Sequence, residues 1–126
     1  MIESLRAALA DLLPLRISEA SFADPVLTLA GDNWALNSLS AWRVTKDGVL
    51  VYGYSYPDAA DRVWDLCGQS IVSVAAQSAL MRGDPALGLS TGEWLEIFSD
   101  HPTDPWVFRL PAGTFVGSPS DPRYSR

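Results

Sequence analysis

The chain has 126 residues, with nine basic and fifteen acidic side chains and a net charge of −6, which is one domain's length. It is too acidic to neutralise a nucleic-acid backbone, since Lys46 is the lone lysine and the arginines are scattered. Five Trp, four Tyr and four Phe exclude disorder for the body of the chain, and a single cysteine, Cys67, excludes an intrachain disulfide framework.

Residues 2–13 carry Ile2, Leu5, Leu9, Leu12 and Leu13 at helical spacing, and Pro14 ends the run. Glu3, Arg6 and Asp11 interrupt this segment, so it does not read as a secretory signal. No apolar run reaches the roughly 18 residues of a membrane helix. A reduced, cytoplasmic compartment fits the lone cysteine.

Residues 15–21 alternate weakly, as a strand does. Asp24-Pro25 marks a turn, Val26 to Leu29 a strand, and Gly31-Asp32-Asn33 a hairpin turn into Trp34–Leu39. Trp42–Thr45 continues, Lys46-Asp47-Gly48 turns the chain, and Val49–Tyr54 returns. Asp58–Cys67 reads as a second helix with Ala60, Val63, Trp64 and Cys67 on its buried stripe and Gly68 as its C-terminal cap. Strands are expected at Ser70–Gln77, at Leu87–Leu89 joined through Ser90-Thr91-Gly92 to Trp94–Phe98, at Pro105–Leu110, and at Thr114–Val116 after Pro111-Ala112-Gly113. Ser118 to Arg126 is a polar tail, frayed or draped on a partner.

The landmarks recur. Asp24-Pro25-x-Leu27-x-Leu29 returns as Asp84-Pro85-x-Leu87-x-Leu89, and Trp34, Trp42, Gly48 and Val51 find counterparts in Trp94, Trp106, Gly113 and Val116. Upstream, Ile17 resembles Ile71. The expectation is an α+β domain over residues 1–117, built as two tandem α-then-antiparallel-β-meander repeats, 1–56 and 57–117, related by internal duplication about a pseudo-twofold axis. Trp34 and Trp94 are then expected in equivalent core sites. Strands should pair within each half; whether the halves share a sheet is left open.

Chemistry-bearing motifs are few. There is no nucleophile elbow, no phosphate-binding Gly-rich loop and no dinucleotide fingerprint. Cys67 falls near a helix C-terminus, where the dipole disfavours a thiolate, and reads as an apolar filler. The one histidine, His101, lies between Asp100 and Asp104 in a loop that the second repeat lengthens by four residues. Such a group suits acid–base or metal chemistry, or is an exposed polar loop punctuated by prolines. The same half is the more acidic: residues 1–56 carry six acids and four bases, residues 57–117 eight and three. A loop that departs from the scaffold's own plan is where function is grafted. The candidate binding residues are Asp100, His101, Asp104, Glu96 and Trp106. Alternation sets Glu96 on one face with Trp94, which would turn Glu96 inward. No catalytic residue, metal or cofactor is expected.

The run Gly83 to Asp100, containing Leu95-Glu96-Ile97-Phe98, together with Pro105-Trp106 and Leu110-Pro111, resembles a family of short bacterial proteins of unknown function. The likeness covers residues 60–117 and implies no catalytic residue. By size and acidity alone the chain is also similar to immunity proteins of bacterial toxin systems. The functional expectation is a non-enzymatic acidic interaction protein with a basic protein partner, for example an immunity-type inhibitor of a basic toxin. The alternative is a small-ligand binder or enzyme using the Asp100–Asp104 loop.

Overall fold

The computed structural model describes residues 2–78, 83–101 and 104–117. Among them the chain forms α1 (Ile2–Leu9), β1 (Leu15–Arg16), β2 (Glu19–Ala23), β3 (Val26–Gly31), β4 (Trp34–Ser38), β5 (Trp42–Lys46) and β6 (Val49–Gly53). These are followed by α2 (Ala59–Trp64), β7 (Ser70–Ala76), β8 (Pro85–Leu89), β9 (Trp94–Ile97), β10 (Trp106–Leu110) and β11 (Gly113–Val116). No helix among the described residues is long and apolar enough to cross a membrane. The expected tail, 118–126, lies outside them.

Turn chemistry sets the hairpins. Asn33 (φ 64°) and the pair Asp47 (φ 52°) and Gly48 (φ 77°) hold the left-handed backbone that two-residue hairpin loops require, and Gly92 (φ 89°) does so between β8 and β9. The single strand expected over 15–21 is instead broken in two. Ile17 N–H bonds the Gln69 carbonyl and Ser18 N–H the Ala30 carbonyl (2.8 and 2.9 Å), so adjacent residues serve different sheets.

Helix α1 buries Ile2, Leu5 and Leu9 and stops at Leu9. Leu12 and Leu13 both direct their N–H groups back to the Leu9 carbonyl in closing turns before Pro14. The stripe expected on the second helix is displaced. Ala59, Val63 and Leu66 face inward, at helical spacing, while Ala60 is exposed and Trp64 is 66% exposed. A six-residue helix has room for one narrow stripe, and Val63 alone of the expected residues falls fully within it.

Two antiparallel sheets result, ordered β1-β7-β8-β9-β5-β6 and β11-β10-β4-β3-β2. Each half's hairpins pair within the half, as expected, but each sheet also draws on both halves. Three consecutive strands of one half (β7-β8-β9 or β2-β3-β4) continue into the last two of the other (β5-β6 or β10-β11). The helices are exchanged likewise, with α1 packing on β7 and α2 on β2. The halves differ in the two-residue β1, which pairs with β7 and adds a sixth strand to one sheet. One apolar core lies between the sheets, drawing on both sheets and both helices.

Register explains where the tryptophans go. Trp106 is opposite Ser38 and Trp42 is opposite Ile97. Matching Trp42 with Trp106 therefore matches Ser38 with Ile97, Leu36 with Leu95, and Ala35 with Trp94. The expected overlay of Trp34 on Trp94 is off by one residue, and in a strand one residue reverses the face. Trp34, Trp42 and Trp106 are buried, whereas Trp94 is 36% exposed on the outer face of the six-stranded sheet. Glu96 shares that outer face, contrary to the inward placement expected from its pairing with Trp94.

Trp42 sits at the centre of an aromatic contact between the sheets. Phe22 and Tyr52 meet it edge-on, with ring centroids at 5.1 and 5.9 Å. The Arg62 guanidinium lies 4.6 Å from the centre of the Tyr52 ring. Truncation of Trp42 to Ala should cost roughly 3–5 kcal/mol in a urea melt, and Trp94→Ala well under half of that. Burial pushes the Tyr52 hydroxyl up to about 12, with Glu93 adding and Arg62 opposing. Because the folded value lies above the unfolded one, this contribution is intact below the ordinary tyrosine range and is lost as pH rises through it toward about 12. Stability measured by denaturant titration should fall across that alkaline window, and Tyr52→Phe should flatten the fall.

Candidate functional site: the double crossover

After the early crossing at residues 17–18, the chain passes back to the six-stranded sheet at residues 39–41 and leaves it again after β9, and these two later passages bind each other. Leu39 N–H donates to the Pro105 carbonyl (3.0 Å) and Phe98 N–H to the Ala41 carbonyl (2.9 Å). Backbone groups leaving a ladder must find partners, and here each crossover supplies them for the other.

Buried hydroxyls complete the junction. The Ser38 hydroxyl reaches the Pro105 carbonyl (3.3 Å) and accepts from Ser40 N–H (3.2 Å). The Ser40 hydroxyl in turn accepts from His101 N–H (3.3 Å). Ser99 N–H donates to Asp84 Oδ1 (2.8 Å), its hydroxyl donates to the Gly83 carbonyl, and the Trp106 indole N–H points at both Ser99 Oγ (3.2 Å) and the Gly83 oxygen (3.3 Å). Trp106 is also covered closely by Gly117, where an added Cβ would come within 2.4 Å of the indole nitrogen.

Four of the five sequence candidates meet here. Asp100 and Asp104 are exposed, His101 is half-buried, and Asp104 adopts a left-handed backbone (φ 45°). Trp106, 1% exposed, supports the loop from beneath and presents no surface. Pro102 and Thr103 lie outside the described residues. Glu96 stands apart on β9. Arg43 is paired with it at 2.5 Å and also lies 4.9 Å over the Phe98 ring, so the Glu96 charge already has a partner. Cys67 is half-buried in the turn after α2, away from this junction.

Sequence reasoning missed Ser38, Ser40, Ser99 and Asp84. Asp84-Pro85 reads in the sequence as a landmark of the repeat, yet Asp84 is 1% exposed. Its partner, Ser99, is fifteen residues away, and no local pattern announces that contact.

Two clefts open elsewhere. One, of about 410 Å³, lies between Leu12, Arg16, Asp32 and Trp34. The other, of about 570 Å³, lies between the β2–β3 turn and the segment entering α2. Neither is lined by Asp100, His101 or Asp104. Among the described residues no three His, Cys, Asp or Glu side chains gather as a metal site. No protein-family model, curated protein or solved structure matches the chain.

Replacing Asp84 by Ala should leave Ser99 N–H buried without this acceptor and cost roughly 2 kcal/mol or more. Asp84→Asn keeps a carbonyl oxygen there and should recover a good part of it. Chemical denaturation of the two variants beside the parent checks this.

Proposed function

We propose that this chain is a non-enzymatic acidic interaction protein that meets a basic protein partner through the loop after β9. The observation that carries the reading is the placement of Asp100 and Asp104: two exposed carboxylates on a loop whose roots are held by Ser40, Pro105 and the buried Ser99–Asp84 pair. Charges on a loop with fixed roots present a constant field to an approaching cation. The overall charge of −6 acts in the same direction. An immunity-type inhibitor of a basic bacterial toxin is the instance we favour.

In this reading the two repeats descend from an internal duplication. Support comes from the exchange of strands and helices between halves and from the match of Trp42 with Trp106. The loop at 98–105 is then an addition to the repeated plan, made in the more acidic half.

Exposed acids accelerate encounter more than they hold a complex together. With a partner captured from lysate, the Asp100→Asn, Asp104→Asn double variant should associate several-fold more slowly at low salt, and the difference should shrink at high salt. Equal association rates under both conditions would remove this loop from the interface.

A further inference from the structure

The larger of the two clefts is walled by aromatic side chains and holds one carboxylate. Phe22 from β2, Tyr54 and Tyr56 from the segment after β6, and the carboxylate-bearing Asp24 line it, with Ala59 and Ala60 closing one side. Among the described residues, no lysine or arginine lines it. Arg62, on the helix that follows, is engaged elsewhere: its guanidinium lies over Tyr52 and donates to the Val51 carbonyl (3.4 Å). The first turn of α2 adds Asp58 and Asp61, both exposed, and this outweighs the weak positive end of a six-residue helix.

These aromatics depart from the plan that the halves otherwise share. Phe22 pairs with Leu27 and Ala76 with Pro85, and the register that matches Trp42 with Trp106 matches Phe22 with Ala76. Tyr54 N–H bonds the Trp42 carbonyl just as Gly117 N–H bonds that of Trp106, which sets Tyr54 against Gly117. Where one half has Ala and Gly, the other has built a cleft with aromatic walls and an acid. The folding core does not call for Tyr54 or Tyr56, since Tyr54 is 49% exposed and Tyr56 is 36% exposed.

We propose that this cleft is a binding site for a guanidinium group. Aromatic faces attract cations, and the planar, weakly hydrated guanidinium stacks on them while forking onto one carboxylate, as a compact ammonium does not. The assignment stands on the cleft alone and is independent of the crossover loop. An arginine side chain of a protein and a free guanidinium compound share this chemistry.

The test is an NMR titration of the full chain with blocked Gly-Arg-Gly, its lysine and citrulline counterparts, and agmatine. Shifts should concentrate at residues 22–24 and 54–60, with arginine binding more tightly than lysine and citrulline weakest. Tighter binding of the arginine peptide than of agmatine assigns the site to a protein side chain, and the reverse to a free guanidinium compound. Asp24→Asn, on an exposed turn, should weaken the arginine peptide roughly tenfold, and Tyr56→Leu should narrow its advantage over lysine. Citrulline binding as well as arginine, shifts confined to other surfaces, or no shifts up to the solubility limit would each overturn the assignment.

Discussion

A chain that builds two facing sheets must cross between them, and at each crossing its peptide groups lose the ladder that satisfied them. Here the crossings after β4 and after β9 solve the problem jointly, Leu39 bonding Pro105 and Phe98 bonding Ala41. The rest of the molecule depends on that reciprocal arrangement. It brings β4 beside β10 and β5 beside β9, and so decides which strands share a sheet. It also encloses Ser38, Ser40 and Ser99 where only hydrogen-bonded hydroxyls are tolerable.

Much of this was legible locally and little of it globally. Asp47-Gly48, Asp32-Asn33 and Gly92 mark their hairpins because the backbone there must turn left-handed, a demand a single residue can advertise. The joining of β9 to β5 is set by contacts between residues some fifty positions apart, such as Arg43 with Glu96, and alternation along either strand says nothing about it. Trp94 shows how narrow the margin is. Its strand and neighbours were read correctly, but alignment by residue identity placed it one position away from the register, and its face reversed. Trp64 failed for a related reason, since a short helix buries one stripe and the larger side chain does not always occupy it.

The candidate site was half visible. The lengthened loop with Asp100, His101 and Asp104 stood out against the repeated plan, and those residues do gather at the crossover. Its supports, Asp84 and the serines, carry no sequence signal because small polar residues are common in every turn. The aromatic cleft was hidden for the opposite reason: Phe22, Tyr54 and Tyr56 look like ordinary core residues until their exposure and their distance in sequence are known.

The exchange of strands has a consequence for how the chain comes into being. Synthesis delivers β2 to β6 first, and at that stage β4 and β5 each present an edge whose partner has not yet been made. Those edges wait for β9 and β10, so the six-stranded sheet cannot close before Ile97 is made, nor the five-stranded one before Val116. Acquisition of structure is therefore late and all-or-none, governed by distant pairings of the kind that slow folding. Interruption of translation before Trp94 would leave both sheets open at once, with exposed strand edges available to any neighbouring chain.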